Sequence, residues 1–396
     1  MKKLFLPLGL CALSLIACYS PDPFNAEYSG DESKTGDVSA VGKIYPLNGG
    51  LQTCNPSVSQ DTVNFPASML WLNFGSDLKV TRPDSEYTVS KADVVQHDRL
   101  TISDTAGKVL WYMMADFDAG DCQFQDPEWS THPDYVVALR AYDINGRKSC
   151  YDLDYGMFAV RLSDSKKFWF YDKDIIETAT PHLWVSPDAS VEEDAADSTV
   201  EGFFGTKDVR LTYVSEKKEI VFVDFANGGL KKAKTLKKPA DRSSWDIDSP
   251  LISPAGKLVV YNMLENPATW EAYIQELSPS SVPVKIERLS GSTSDPAQPH
   301  WFEYNGRLYV LWTEFPQNWP QMLNKSDLRE TSTQDGSVGR TVMREVRLLA
   351  GAPVDLSVEW VGEARTVASV PMMGGRSPDG RFLATGTNYG FLLELP

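Results

Sequence analysis

The chain has 396 residues, a formal net charge of −16 at pH 7 and an aromatic content of 11%. A chain this acidic is a poor nucleic-acid binder, because neutralising backbone phosphates requires a basic surface. The composition therefore excludes nucleic acid as an expected partner, and it leaves proteins, glycans and small molecules.

The first 17 residues are predicted to be a signal peptide that is absent from the mature fold. Two lysines precede an apolar run, residues 4–17, which is too short to span a bilayer as a mature helix. The run ends in "LIAC" at residues 15–18. An ordinary secretory signal that happens to contain cysteine is the alternative interpretation of this segment.

The "LIAC" stretch resembles the bacterial lipobox, in which cleavage precedes a cysteine whose thiol is acylated. The resemblance implies that Cys18 carries acyl chains such as palmitate, which attach the protein to a membrane. Removal of the two signal lysines changes the net charge to −18. Because Tyr19 rather than aspartate follows the cysteine, the resemblance favours an outer-membrane lipoprotein, on its periplasmic face or at the cell surface.

Residues 18–43 are predicted to form a flexible, acylated tether. The stretch 19–42 is rich in Ser, Gly, Asp and Pro and has almost no large aliphatic side chains. Such a composition buries too little apolar surface to order itself. The folded domain is expected to span residues 44–396.

The remaining sequence predicts an all-β fold. Short runs rich in Val, Ile, Tyr, Phe and Trp, such as "YVVALRAY" at 135–142 and "RLYVLWTEF" at 307–315, alternate with Gly, Pro, Asp and Asn. No long stretch has the 3.6-residue periodicity of a helix. Repeated short strands separated by turns are typical of a sandwich, barrel or propeller.

One turn recurs before several of these runs. "SPDGRFLATGTN" at 377–388 aligns with "SPAGKLVVYNML" at 253–264, and "YNGR" at 304–307 is a further copy. Weaker copies begin at 102, 162 and 214. Proline presets the first turn position, the aspartate accepts from nearby backbone amides, and glycine adopts the left-handed conformation. We therefore predict structural turns at Asp379, Gly380, Gly256 and Gly306 rather than catalysis at the aspartate.

These copies resemble the TolB-like (PD-type, related to WD-type) β-propeller repeat over about two thirds of the chain. The resemblance implies about six blades of four antiparallel strands, although five or seven would also fit the spacing. It also implies that a strand near residues 69–74 completes the last blade. The motif is never intact: no Trp precedes 377–381, and Ala255 stands where the repeat has aspartate.

Two histidines lie at equivalent repeat positions, in "TPHLW" and "QPHWF". His182 and His300 are candidates to converge at the central channel and bind a ligand or metal. The alternative is that both are hydrogen-bonded in place. Since only His97 and His132 remain elsewhere, a three-histidine site is not expected, and neither a metal nor another cofactor is predicted.

Three tryptophans are candidates for an aromatic platform that stacks on sugar rings. Trp319 lies in the longest apparent insertion, and Trp270 and Trp312 are its candidate partners; the alternative places them in the core. Among the three cysteines of the mature domain, Cys122 and Cys150 are the predicted disulfide pair. Cys54 would then remain as a free thiol.

Three charged segments are expected to lie on the surface. The acidic stretches 116–128 and 190–199 are interpreted as solvated loops. The run "KKAKTLKK" at 231–238 is interpreted as a solvent-exposed edge strand. The alternative is that it contacts an anionic polysaccharide or the acidic face of a partner.

The predicted function is a lipid-anchored, non-enzymatic binding scaffold for an envelope protein or a polysaccharide. The alternative is a propeller-type glycoside hydrolase or lyase with carboxylates in the central funnel. The sequence has no Gly-x-Ser-x-Gly elbow and no α/β-hydrolase pattern, so serine hydrolase chemistry is not expected.

Overall fold

The computed structural model describes most of the chain from residue 43 onward. The described ranges are 43–46, 53–73, 79–81, 86–88, 97–144, 150, 152–191, 196–266, 269–292, 294–315, 340–348, 358–368, 372–385 and 391–395. The predicted signal peptide, most of the tether and Trp319 lie outside them.

The described strands form five four-stranded antiparallel sheets, one three-stranded sheet and a small hairpin. Each large sheet is a blade, and strands follow one another from the inner to the outer edge. Blade 1 comprises β2 (Thr53–Val58), β3 (Ser68–Asn73), β6 (Arg99–Asp104) and β7 (Val109–Met114), and its insertion carries β4 (Lys79–Thr81) and β5 (Glu86–Thr88). Blade 2 comprises β8 (Asp121–Trp129), β9 (Tyr135–Asp143), β10 (Leu153–Arg161) and β11 (Lys166–Ile175).

The next three blades repeat this order. Blade 3 comprises β12 (His182–Val185), β13 (Val209–Val214), β14 (Ile220–Asp224) and β15 (Lys234–Thr235), with the short helix α1 (Val200–Phe204) between its first two strands. Blade 4 comprises β16 (Asp246–Ile252), β17 (Leu258–Asn266), β18 (Thr269–Glu276) and β19 (Val284–Lys285). Blade 5 comprises β20 (Asp295–Tyr304), β21 (Arg307–Phe315), β22 (Arg340–Leu348) and β23 (Val358–Ala368).

Blade 6 joins the two ends of the folded domain. It comprises β24 (Phe382–Thr385), β25 (Phe391–Glu394) and, at the outer edge, β1 (Lys43–Pro46). The inner side of β24 is hydrogen-bonded to the segment 373–376.

Hydrophobic clusters between neighbouring blades close the ring. Six clusters occupy the six successive junctions from blade 1 round to blade 6 and back. At the last junction, for example, Val58 and Met69 of blade 1 pack against Phe382 and Leu392 of blade 6. Because each blade buries both faces against its neighbours, the apolar strands need no other core. The prediction of an all-β propeller with about six blades is confirmed.

The strand that completes the last blade differs from the expected one. The run 68–73 is β3, the second strand of blade 1, whereas β1 pairs with β25 from Lys43↔Glu394 to Pro46↔Phe391. Tyr45 also donates from its hydroxyl to Glu394 Oε2 at 2.7 Å. The expectation failed because residues 69–72 are fully buried. A continuous apolar run of this kind suits a blade interior, and an outer strand carries exposed charge such as Lys43.

The aspartate of "SPDGR" forms part of a tight turn. Asp379 Oδ1 accepts from the Ser377 hydroxyl at 2.5 Å and from the Arg381 N–H at 3.1 Å, and Gly380 has φ +75°. Gly256 and Gly306 have φ +69° and +70° in the corresponding turns. Glycine is needed here because the left-handed conformation penalises a β-carbon.

Only some copies of the turn occupy equivalent places. The copies around Gly256 and Gly306 connect the first two strands of blades 4 and 5, and the copy around Gly380 connects the inner segment 373–376 of blade 6 to β24. The copies at 102 and 162 instead lead from the third strand of a blade to the fourth, and the copy at 214 from the second to the third. Any antiparallel hairpin favours the same turn residues, so the motif marks hairpins without identifying which hairpin of the blade it is.

Ring closure by β1 predicts a sharp difference between two truncations. A chain that starts at residue 47 should be less stable than one that starts at residue 43 by about 2–4 kcal/mol, at about 1 kcal/mol per lost ladder hydrogen bond. Thermal and urea unfolding of the two purified domains measure the difference. Equal stability of the two chains would show that β1 does not close the ring.

Candidate functional site

A bulge before a proline recurs in the innermost strands. The residue before proline has positive φ in five blades: Asn55 (46°), Asp126 (45°), Thr180 (39°), Ser249 (52°) and Gln298 (50°). In blades 1, 2, 4 and 5 the strand register shifts at this point. Proline has no N–H for the ladder, and a bulge changes the direction in which nearby side chains project.

The side chains that follow these bulges surround a central cavity of about 280 Å³. All six blades contribute to its wall. Representative lining residues are Ser57, Glu128, His182, Leu251, His300 and Gly375, one from each blade in ring order. The cavity is therefore a property of the closed ring and not of any one blade.

The structure places both predicted histidines on this cavity. His182 and His300 are each the second residue after the positive-φ position, and each is only 6% exposed. His182 Nδ1 accepts from the Ile252 N–H at 3.0 Å, so its proton lies on Nε2. His300 Nδ1 donates to the Gln298 carbonyl at 3.0 Å. Both rings are thus held by backbone groups.

Burial keeps the two imidazoles neutral. Desolvation, with a smaller contribution from His300, lowers the pKa of His182 to about 3. Desolvation likewise lowers the pKa of His300 to about 4. At neutral pH the pair therefore contributes hydrogen-bonding groups to the cavity wall without positive charge.

Glu128 is a half-buried acid of the cavity wall. Its Oε1 accepts from the Ser57 hydroxyl at 2.5 Å, and Ser57 Oγ accepts from the Trp129 N–H at 3.0 Å. Burial is the main reason that the pKa of Glu128 rises to about 8. The carboxyl is therefore largely protonated at neutral pH, and it ties blade 2 to blade 1.

A second acidic group lies at the bulge itself. Asp126 Oδ1 accepts from Asn55 Nδ2 at 2.7 Å. Burial, followed by the charges of Asp248 and Glu177, raises its pKa to about 8. Burial also raises the pKa of Asp248 and of Glu177. Carboxyl groups from β8, from β16 and from the connection between β11 and β12 thus interact electrostatically.

Sequence reasoning missed Glu128 as a residue of the cavity wall and Asp126 as a buried residue of the adjacent bulge. Both fall in the acidic segment 116–128, which was interpreted as a solvated loop, but β8 begins at Asp121. The loop interpretation is correct for Asp116, whose carboxylate accepts from the N–H groups of Asp118 and Ala119. A partial signal was present: a proline follows the bulge residue in five of the blades, for example Asp126-Pro127, but it does not show which side chains face the cavity.

The predicted aromatic platform is not formed by Trp270 and Trp312. They are 6% and 1% exposed, and Trp312 packs edge-on against Trp360 in the core between blades 4 and 5. Burial in a blade leaves no ring face for a sugar. Trp319 lies outside the described residues.

The predicted cysteine pair is joined in the structure. Cys122 on β8 forms a disulfide with Cys150, which precedes β10, and their Cα atoms are 5.8 Å apart. The side chain of Cys54 and the whole of Cys18 lie outside the described part. Within the described ranges, no group of three or more His, Cys, Asp or Glu side chains is arranged to hold a metal ion.

No family model matches the chain, and no curated protein matches it. The fold is a β-propeller. Similar solved structures include TolB from Acinetobacter baumannii (11% identity, 84% of this chain, 64% of that chain, TM-score 0.44). They also include a putative TolB from Agrobacterium tumefaciens (14% identity, 89% and 97% coverage, TM-score 0.41) and Kuenenia stuttgartiensis hydrazine synthase (11% identity, 90% and 77% coverage, TM-score 0.38).

These similarities concern architecture alone. The identities are too low to transfer an activity, and the chain spans less than two thirds of the Acinetobacter protein's length. The predicted propeller fold is confirmed by the blades themselves, and the similar solved structures include TolB proteins. No helix within the described ranges is long and apolar enough to cross a membrane.

The raised pKa of Glu128 predicts how stability depends on pH. The pKa of this carboxyl is 4.5 in the unfolded chain and about 8 in the folded protein. Its contribution to the free energy of unfolding is therefore fully present below pH 4.5 and is lost as the pH rises to 8. Glu128→Gln keeps the acceptor for Ser57 and removes the titration. The variant should therefore gain stability relative to the parent between pH 5 and 8, by up to about 1.4 kcal/mol per pH unit.

Urea unfolding at pH 5, 6.5 and 8 measures this gain. Glu303→Gln is the matched control, because Glu303 also borders the cavity but is exposed. If the free energy of unfolding changes with pH in the same way in the parent and in Glu128→Gln, the assignment of a neutral carboxyl at Glu128 is contradicted.

Proposed function

We propose that the protein is a lipid-anchored envelope β-propeller that serves as a non-enzymatic binding scaffold for a protein partner or a glycan. One observation carries this proposal: a central cavity is walled by all six blades, and the neutral groups of His182, His300 and Glu128 line it together with the charged side chains of Glu303 and Arg376. A rigid ring with a hydrogen-bonding recess suits recognition of a polar segment.

The cavity wall holds its functional groups in fixed positions. His182 and Glu128 each hydrogen-bond to a neighbouring blade, to the Ile252 N–H and the Ser57 hydroxyl. Such links between blades pre-organise the wall, and pre-organisation lowers the entropic cost of binding. The hydroxyl of Thr131, which also lines the cavity, is buried without a hydrogen-bond partner. A ligand with hydroxyl or amide groups would satisfy it.

The anchor is supported by the residues before the fold. The "LIAC" stretch ends at Cys18, and a polar segment of about 24 residues separates it from β1. Flexible polar chains of this length separate a domain from its attachment point by tens of ångströms. The acyl chains would thereby keep the ring near the bilayer without restricting its orientation.

A glycoside hydrolase or lyase is the second candidate function. It is favoured by Glu128, since a carboxyl that stays protonated at neutral pH in a cavity wall is what a general acid requires. The binding proposal is preferred because the same carboxyl already bonds to Ser57 as part of the contact between blades 1 and 2.

Glycan binding combined with an assay of sugar release separates the two functions. We expect the purified protein to retain a glycan or an envelope protein without releasing reducing sugar or unsaturated product. If sugar is released by the parent and by Glu303→Gln but not by Glu128→Gln, the protein is an enzyme and the scaffold proposal is wrong.

Filling the cavity is predicted to abolish binding. Thr131→Trp inserts a large ring where an unpaired hydroxyl now lines the recess, so partner or glycan capture should fall by at least tenfold (about 1.4 kcal/mol). Ser280→Trp on an exposed turn of blade 4 is the control, and circular dichroism checks both folds. Unchanged capture by a folded Thr131→Trp protein would exclude the cavity as the binding site.

Acylation of Cys18 is predicted to determine membrane association. Cys18→Ser should abolish labelling with an alkynyl palmitate analogue and move the protein to the soluble envelope fraction, because no acyl chain remains to partition into the bilayer. Cys11→Ser, which changes the cysteine inside the signal peptide, should leave both properties intact. Labelling that persists in Cys18→Ser would refute the anchor.

A further inference from the structure

An exposed basic surface lies at the outer edge of blade 3. Lys231 and Lys232 end a 3-10 turn, Lys234 lies on the outermost strand β15, and Lys237 follows that strand. All four side chains are exposed. We refer to these four residues as the lysine edge.

The charges of the lysine edge are not neutralised within the described structure. No described carboxylate lies within ion-pair distance of their ammonium groups, whereas Lys207 pairs with Glu201 at 2.9 Å and Lys166 with Asp197 at 2.5 Å. The neighbouring Lys238 differs, because its ammonium donates to the Trp245 carbonyl at 2.8 Å. In a protein of net charge −16, four adjacent unpaired cations form a distinct local surface.

A recess of about 360 Å³ lies within this surface. Its wall comprises Phe222, Asp224, Asn227, Lys232 and Lys234. The Asp224 carboxylate is engaged by its own turn, accepting from the Ala226 N–H at 3.1 Å and from Asn227 Nδ2 at 2.7 Å. The two lysines are therefore the groups available to a ligand, and they suit an anionic one.

Protection of the sheet edge accounts for only part of this pattern. A lysine on an outer strand discourages pairing with another chain, and Lys234 on the two-residue strand β15 satisfies that purpose. Lys231, Lys232 and Lys237 lie outside the strand. Their position on the same edge requires a different explanation.

We propose that the lysine edge docks on the phosphate-bearing anionic headgroups of the membrane to which the protein is anchored. The inference rests on the proposed acyl anchor, which would hold the ring close to such a surface. Exposed charges act over a screening length of about 8 Å at physiological salt, so the acidic remainder of the ring does not cancel a local contact. The contact would orient blade 3 towards the bilayer, and each lysine contributes about fivefold to partitioning.

Vesicle binding tests the proposal directly. The mature chain carrying Cys18→Ser is mixed with vesicles of phosphatidylcholine, with or without one third phosphatidylglycerol, and co-sedimentation is measured. We expect binding to the anionic vesicles only, with loss at about 0.5 M salt because screening shortens the range of the attraction. Replacement of the four lysines by glutamine should lower binding by at least tenfold.

The control variant removes the same number of positive charges elsewhere. Lys108, Lys173, Lys257 and Arg307 are all exposed and lie outside the lysine edge. Their combined replacement by glutamine should leave vesicle binding within about twofold, since a local contact depends on position rather than on net charge. Equal loss in both variants would overturn the proposal.

The remaining outcomes also decide the question. Binding to soluble polygalacturonate but not to anionic vesicles would assign the edge to a polysaccharide instead. Displacement from vesicles by a low concentration of inorganic phosphate would assign the recess to a free anion. If the Cys18→Ser chain binds anionic vesicles but the wild-type protein is not labelled by the palmitate analogue, the anchor alone is refuted. If the wild-type protein is labelled but the Cys18→Ser chain does not bind these vesicles, the lysine edge alone is refuted.

Discussion

Hydrophobic contact between neighbouring blades, repeated at six junctions, is the constraint on which the rest of the structure depends. A single blade exposes two apolar faces, so it becomes stable only when the ring is complete. The join between blade 6 and blade 1 is therefore critical. Pairing of β1 with β25 places both ends of the folded domain in one sheet and prevents the ring from opening at that point.

The closed ring explains the unusual chemistry at its centre. The innermost elements of six blades converge, and bulges in five of them bring polar side chains into a partly enclosed cavity. Burial disfavours charge, so His182 loses its proton readily and Glu128 retains its proton at neutral pH. Hydrogen bonds between blades then satisfy the neutral groups. The same packing and hydrogen bonding of the innermost elements thus hold the ring together and form the recess.

The outer surface of the ring carries exposed charge. This surface is acidic overall, but the lysine edge on blade 3 groups four cations that pair with no described carboxylate, and two of them, Lys232 and Lys234, line a recess. Acidic surfaces repel an anionic membrane, and a basic edge attracts it at short range. A tethered ring with this distribution would present its centre to partners while one rim contacts the bilayer.

The sequence by itself determined the fold class, the approximate blade number, the turns at Asp379 and Gly380, and the equivalence of His182 and His300, because strand periodicity and turn chemistry are local properties. Only the tertiary structure decided that β1 closes the ring, that Trp270, Trp312 and Asp126 are buried, and that Glu128 lines the central cavity. Those outcomes depend on which blade lies beside which, and on how much water their packing excludes. No local pattern in a single strand contains that information.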